Sequence, residues 1–309
     1  MSNAAIATSG SPATEFLAGG TDLSERRRSG VSRGALIGID PSPDMVGVSW
    51  GQNEEATIGS LSTIDAIATD VRIATAYPGL AAAASGLATP QIRRQATLGG
   101  NLAQHSRCWY YRDPQVSCFK KGGSNCPART GNHLYGVAFD LGPCVAPHPS
   151  TLAAALLSYE AKIVTDRRAG LTIEQFLGDG ADGARDNGLE DGELIKGVAL
   201  PPPLSGERAL YKRAIARAYA EWPLVELVVR AVIVDRVFQF VRLTVGGVAP
   251  VPIQLTAAGM AISGKAASST NIALAAEQSI RGANPLKLTS YKLDLLKGLV
   301  QDLLERLSA

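Results

Sequence analysis

The 309-residue chain has no apolar run approaching a membrane span, which takes about 20 such residues. It has no excess of one charge either. Its formal net charge is +2, which argues against a nucleic-acid binder. The run Arg26-Arg27-Arg28 is short and reads as a solvated loop. "MSNAAIATSGSPATEF" has neither a positive n-region nor a long apolar stretch, so no secretory signal is expected there. The expectation is a soluble protein, cytoplasmic, or periplasmic if a partner carries the export signal. No G-x-G-x-x-G follows a strand, which excludes the usual dinucleotide fingerprint. What is present is a globular composition, 46% hydrophobic and 19% charged. A chain of this size buries a large core and divides into two or three domains.

Cysteine is scarce and unevenly placed. Cys108, Cys118, Cys126 and Cys144 are all that the chain contains, gathered within 37 residues. Spread along a chain, four thiols would read as small buried hydrophobes. Gathered in one loop-like segment, they read as a disulfide pair, a zinc site or an iron–sulfur site. A chain with an ample core has little need of disulfide staples. Spacings of 9, 7 and 17 intervening residues are unlike the paired C-x2-C knuckles of zinc sites. The segment is rich in Gly, Pro, Asn and aromatics without a sustained period, so it reads as an irregular insertion.

Regular elements flank it. "ALIGID" and "ATIGSL" suit strands, and "STIDAIATD" suits a helix capped by Ser62 or Thr63. "GLAAAASGLATPQIRRQ" reads as an Ala-rich helix stopped by Pro90. "HPSTLAAALLSYEAKIVT" reads as a helix capped by Ser150, then a strand. The Gly/Asp-rich residues 178 to 193 read as a surface loop, and "LIKGVALPPPLSGE" as a strand running into a Pro-rich linker. Beyond it, two long strands meet at Asp235-Arg236. The second alternates Val237, Gln239, Val241, Leu243 and Val245 against Phe238, Phe240, Arg242 and Thr244. A final amphipathic helix carries Leu293, Leu296, Leu299, Leu303 and Leu307 on one stripe. The fold class is α+β.

Two glycine pairs carry the first hint of chemistry. Gly19-Gly20-Thr21-Asp22 and Gly99-Gly100-Asn101 lie 80 residues apart. Glycine permits positive φ and close backbone approach, so successive N–H groups can cradle phosphate oxygens. Two such turns suit a diphosphate, with Thr21, Thr97 and Asn101 as added donors. Either turn alone reads equally as a tight structural turn.

The ordered set "LAGGTDL", "IGSLSTIDAIA", "QIRRQATLGGNLAQ", "HPSTLAAALLSYEAKI", "GELIKGVALPPP" and "LTVGGVAPVPI" resembles the FAD-binding medium subunit of molybdenum hydroxylases, the xanthine dehydrogenase and aldehyde oxidoreductase group. The cysteine segment resembles the subset with an extra [4Fe–4S] cluster, which includes periplasmic aldehyde oxidoreductases. The resemblance implies two α/β subdomains that clasp FAD, residues 1–200, with an Fe–S insertion at about residues 104–147. A C-terminal domain of antiparallel sheet plus helices, residues 205–309, would follow. It implies an electron-transfer subunit of a heterotrimer. A large partner would hold the molybdenum cofactor and a small one two [2Fe–2S] clusters, with FAD passing electrons to an external acceptor.

Residue by residue, the resemblance assigns the FAD pyrophosphate to Ala18, Gly19, Gly20, Thr21, Asp22 and Leu23, and to Thr97, Gly99, Gly100 and Asn101. Cys108, Cys118, Cys126 and Cys144 become cluster ligands, with His105, His133 and His148 outside the ligand set. Arg213, after "LYK", and Arg217 take basic positions near the flavin; otherwise they are exposed strand charges. Thr151 stands where relatives carry an Asp at the adenosine end. Only 16 residues precede "LAGG", where relatives have a longer leader. Two rivals stay open: a stand-alone flavin oxidase, and a zinc-stabilised scaffold that has lost FAD.

Overall fold

The computed structural model describes residues 14–216 and 221–309, so the leader before Thr14 and Arg217 lie outside the described residues. The chain is mixed α and β. β1 (Thr14–Leu17) and β2 (Ala35–Gly38) form a parallel pair. β3 (Val48–Trp50), β4 (Ala56–Gly59), β5 (Lys162–Thr165), β6 (Leu171–Thr172) and β7 (Ile195–Leu200) make an antiparallel sheet ordered β3-β4-β7-β5-β6. β8 (Glu207–Ala214), β9 (Val225–Val234), β10 (Val237–Gly246) and β11 (Ile253–Gln254) make another, ordered β11-β10-β9-β8.

Local signals set most boundaries. Thr63 caps helix Ile64–Thr69 by accepting the Ala66 N–H at 3.1 Å, and Ser150 caps Thr151–Ser158 through Ala153 N–H at 3.0 Å. Pro90 does not stop a helix. The Ala-rich helix ends at Ser85, and Pro90 opens a new one, Pro90–Gln95, because a first-turn position needs no N–H donor. Likewise "TLGGN" is not a turn but a short helix, Leu98–Leu102, capped by Thr97.

The hairpin of β9 and β10 turns at Asp235 and Arg236, both at positive φ (49° and 58°), as the twist of a two-residue connection demands. A bulge between Phe238 and Phe240 breaks the expected alternation in β10. It shifts the face by one residue, so Phe238 and the odd-numbered Leu243 and Val245 enter the same core. β9 is buried on both faces. Val225, Leu227, Val229 and Ala231 meet the C-terminal helix Tyr291–Ser308 through Leu296, Leu299, Leu303 and Leu307. The opposite face turns Glu226, Val228 and Arg230 toward the N-terminal part. Val228 joins that core, and Arg230 meets Glu207 in a paired contact at 2.6 and 2.9 Å.

Candidate functional site: a glycine-lined cleft beside a cysteine segment

The two glycine segments come together by close backbone packing. A Cβ on Gly19 would stand 1.8 Å from the Gln95 carbonyl oxygen, so only glycine lets the first loop lie on the start of the second segment. Gly20 adopts φ +68°, which reverses the chain into helix Leu23–Arg28. The result is one cleft of about 470 Å³. Its lining includes Ala18, Gly19, Gly20, Thr21, Asp22 and Leu23 from one side and Thr97 and Gly100 from the other.

The remaining expected residues lie behind the wall or away from it. Gly99 packs against Ser60 and donates its N–H to the Ser60 carbonyl at 2.8 Å. Asn101 is buried and accepts the Ser150 hydroxyl at 2.7 Å and the Leu152 N–H at 3.3 Å, tying the two helix starts together. Thr151 does not line the cleft. Its hydroxyl donates to buried Glu226 at 2.8 Å, and Tyr211 donates to the same oxygen at 2.9 Å. Burial raises the Glu226 carboxyl above its ordinary pKa against these bonds. Arg213 sits on β8 opposite Glu226, with one guanidinium nitrogen buried and without a hydrogen-bond partner. Neither residue lines the glycine cleft.

Three arginines converge on Asp22. Arg26, Arg107 and Arg112 approach it at 3.1, 2.9 and 2.7 Å, and the His105 N–H donates to it at 3.1 Å. Burial opposes ionisation of Asp22, but the arginines outweigh it and hold its pKa down. Burial pulls Arg107 down to about 10, with Arg112 and Arg26 opposing its charge and Asp22 and Glu25 supporting it. Across the cleft, Asp186 is buried. Burial would raise its pKa, but Lys120 at 2.7 Å and the His105 ring Nδ1 at 2.9 Å hold it well below the usual range. Asp186 belongs to the Gly/Asp-rich stretch that reads as a surface loop. Nothing in that stretch distinguishes it from its exposed neighbours, because its partners are remote in sequence.

The cysteine segment is irregular, with one short helix at Trp109–Arg112 and two 3-10 turns. All four thiols are free. Cys126 and Cys144 titrate together, which lowers the Cys126 thiol and raises that of Cys144, and Cys108 and Cys118 lie within electrostatic reach of Cys126. Burial raises the Cys108 and Cys118 thiols above their ordinary range. A bound metal deprotonates coordinating thiols outright, so iron would take them as thiolates. This donor set fits an iron–sulfur cluster. Among the described residues, no three His, Cys, Asp or Glu form a set that would hold a single metal ion.

A second cleft of about 280 Å³ lies on the other side of Arg107, walled by Trp109, Tyr135 and Trp222. The Arg107 guanidinium stacks 4.3 Å from the Trp222 ring centre. Lys292 lines this cleft, donating to the Gly247 carbonyl at 2.7 Å, and burial lowers it to about 7. His148 also lines it, buried and lowered to about 4 by that burial. His133 donates its Nδ1–H to the Ala128 carbonyl, 3.0 Å away, and accepts the Leu288 N–H at Nε2.

Comparison with known proteins converges on one family. The family described as "FAD binding domain in molybdopterin dehydrogenase" matches residues 1–203. The aldehyde oxidoreductase FAD-binding subunit PaoB of Escherichia coli (strain K12) is 31% identical over 272 residues, 84% of this chain and 82% of that protein. Quinoline 2-oxidoreductase from Pseudomonas putida 86 shares the fold with a TM-score of 0.74 at 18% identity, covering 96% of this chain and 90% of that one. Reconstituted CO dehydrogenase from Oligotropha carboxidovorans does so with a TM-score of 0.74 at 17% identity, covering 97% and 92%.

Proposed function

Because the chain belongs to the family of FAD-binding domains of molybdopterin dehydrogenases, we propose that it is the flavin-carrying electron-transfer subunit of a molybdenum-dependent aldehyde oxidoreductase. The observation that carries this reading is the joining of two remote glycine segments into one cleft wall. Ala18 to Leu23, Thr97 and Gly100 would hold the diphosphate of FAD, with Gly99 and Asn101 supporting them from behind. The aromatic cleft beyond Arg107 offers apolar walls to a planar ring. Bound FAD supplies one- and two-electron exchange between the [2Fe–2S] centres of a small partner subunit and an external acceptor. Substrate oxidation would belong to a large partner subunit with the molybdenum cofactor. Cys108, Cys118, Cys126 and Cys144 would hold one [4Fe–4S] cluster. The domain division follows the same reading: 1–200 for FAD, with the Fe–S insertion at about 104–147, and 205–309 as the C-terminal flavoprotein domain. Among the described residues, no helix is long and apolar enough to cross a membrane.

The test is purification of the complex from its own host. The expected result is three chains, molybdenum, flavin released by acid precipitation, and about four irons beyond those of two [2Fe–2S] centres. A folded complex without flavin overturns the reading. Zinc in place of the extra iron overturns the cluster.

A further inference from the structure

The cysteine segment builds part of the flavin cleft. Arg107 and Arg112 stand on either side of Cys108 in the chain, and both end on Asp22. Lys120 follows Cys118 by two residues and ends on buried Asp186, 2.7 Å away. Asp186 in turn accepts from His105 Nδ1 at 2.9 Å and from the Ser106 N–H at 3.3 Å. An ionised carboxylate only accepts, so His105 carries its proton on Nδ1 and its ring is fixed. Asp22, His105, Lys120 and Asp186 all line the glycine cleft.

The later part of the segment enters the C-terminal core through Ala138 and Phe139, but the stretch around Cys108 and Cys118 has little else to order it: its buried apolar contacts form one small cluster of Val31, Tyr111 and Cys118. Small metal-organised segments take their fixed point from ligation.

We propose that His105, Lys120 and Asp186 form a flavin-binding wall, held in shape by metal ligation at Cys108 and Cys118, so that FAD affinity and iron retention are linked. The proposal rests on the FAD and cluster readings above. Linkage is reciprocal: what the thiol ligands add to flavin affinity, flavin adds to retention of the iron. The wall serves binding and shape. It places no residue of the segment in the electron path.

The experiment uses the complex purified from its host, with and without removal of the extra iron by a chelator under oxidising conditions. FAD dissociation is followed by flavin fluorescence, and iron release by absorbance. The expected result is FAD binding at least about 10-fold weaker after iron removal, and slower iron release from the FAD-saturated complex than from the flavin-free one. In Lys120→Met, iron content stays full while FAD binding weakens, and the difference between iron-loaded and iron-stripped protein shrinks. Circular dichroism separates this from misfolding, and Asp186→Asn provides a second break in the same chain of contacts. Equal FAD affinity with and without iron overturns the linkage alone, as does full coupling in both variants. A native complex that holds no flavin overturns the functional reading, and the linkage with it.

Discussion

The C-terminal hairpin-and-helix unit and the first half of the cysteine segment, around Cys108 and Cys118, are ordered in opposite ways. In the first, periodic apolar residues from β9, β10 and helix Tyr291–Ser308 share one large core. In the second, charged side chains reach out of an irregular backbone to partners up to 90 residues away, such as Arg112 to Asp22. Hydrophobic burial is non-directional and tolerates repacking. A lattice of directed ion pairs does not, so the segment's shape depends on each fixed point.

The glycine cleft, which the cysteine segment borders through His105 and Lys120, gives the largest expected effect. Gly19→Ala drives a Cβ into the Gln95 carbonyl and should weaken FAD binding by about 100-fold or more, equivalent to roughly 3 kcal/mol. Gly100→Ala meets only the Thr97 hydroxyl, at 3.0 Å, and the residue has no positive φ. Its loss should stay below about threefold, or less than roughly 1 kcal/mol. Flavin titration of the two variants decides, and equal losses would mean that the close approach at Gly19 is not what shapes the cleft.

Leu303→Ala should cost about 3 kcal/mol in denaturant unfolding, because the side chain is fully buried in the C-terminal core. Cys126→Ser should show the other mode of order. Amide exchange should rise across residues 105 to 147 while helix Tyr291–Ser308 stays protected. A change spread evenly over both regions would erase the contrast.

Lys292 supplies a pH test. Burial lowers its folded pKa to about 7, below its ordinary value near 10.5. Below pH 7 both states hold the proton, and folding bears the full cost of burying the charge. Between about pH 7 and 10 the unfolded chain binds more protons, so stability should rise with pH, by at most about 1.4 kcal/mol per unit. Lys292→Met should flatten that slope.

The smallest effect concerns Thr151. Thr151→Val removes one donor to Glu226 and should cost about 1 kcal/mol of stability. FAD affinity should not move. A loosened flavin would return Thr151 to the adenosine end.

Much of this was legible in the sequence where the signal is local. The Ser150 and Thr63 caps, the Asp235-Arg236 turn and the leucine stripe stand where their patterns place them. Of the glycine segments, the loop at 18–23 lines the cleft, as do Thr97 and Gly100. Legibility failed where a residue's partner is distant. Asp186 looks like loop filler until Lys120 and His105 are seen around it. Thr151 reads as a ligand-facing residue until Glu226, 75 residues away, is found bonded to it. The bulge in β10 escaped because one unpaired residue leaves composition and propensity unchanged.

β9 bears on modularity. One face of this strand completes the C-terminal core, and the other gives Val228 to the N-terminal one. A shared wall cannot be cut without exposing apolar surface on both sides. The Pro-rich linker at Pro201–Pro203 therefore marks a change of sheet, not a seam along which an autonomous piece could be excised. Shuffling of such a flavin module between enzymes would have to carry β8 to β10 along with it.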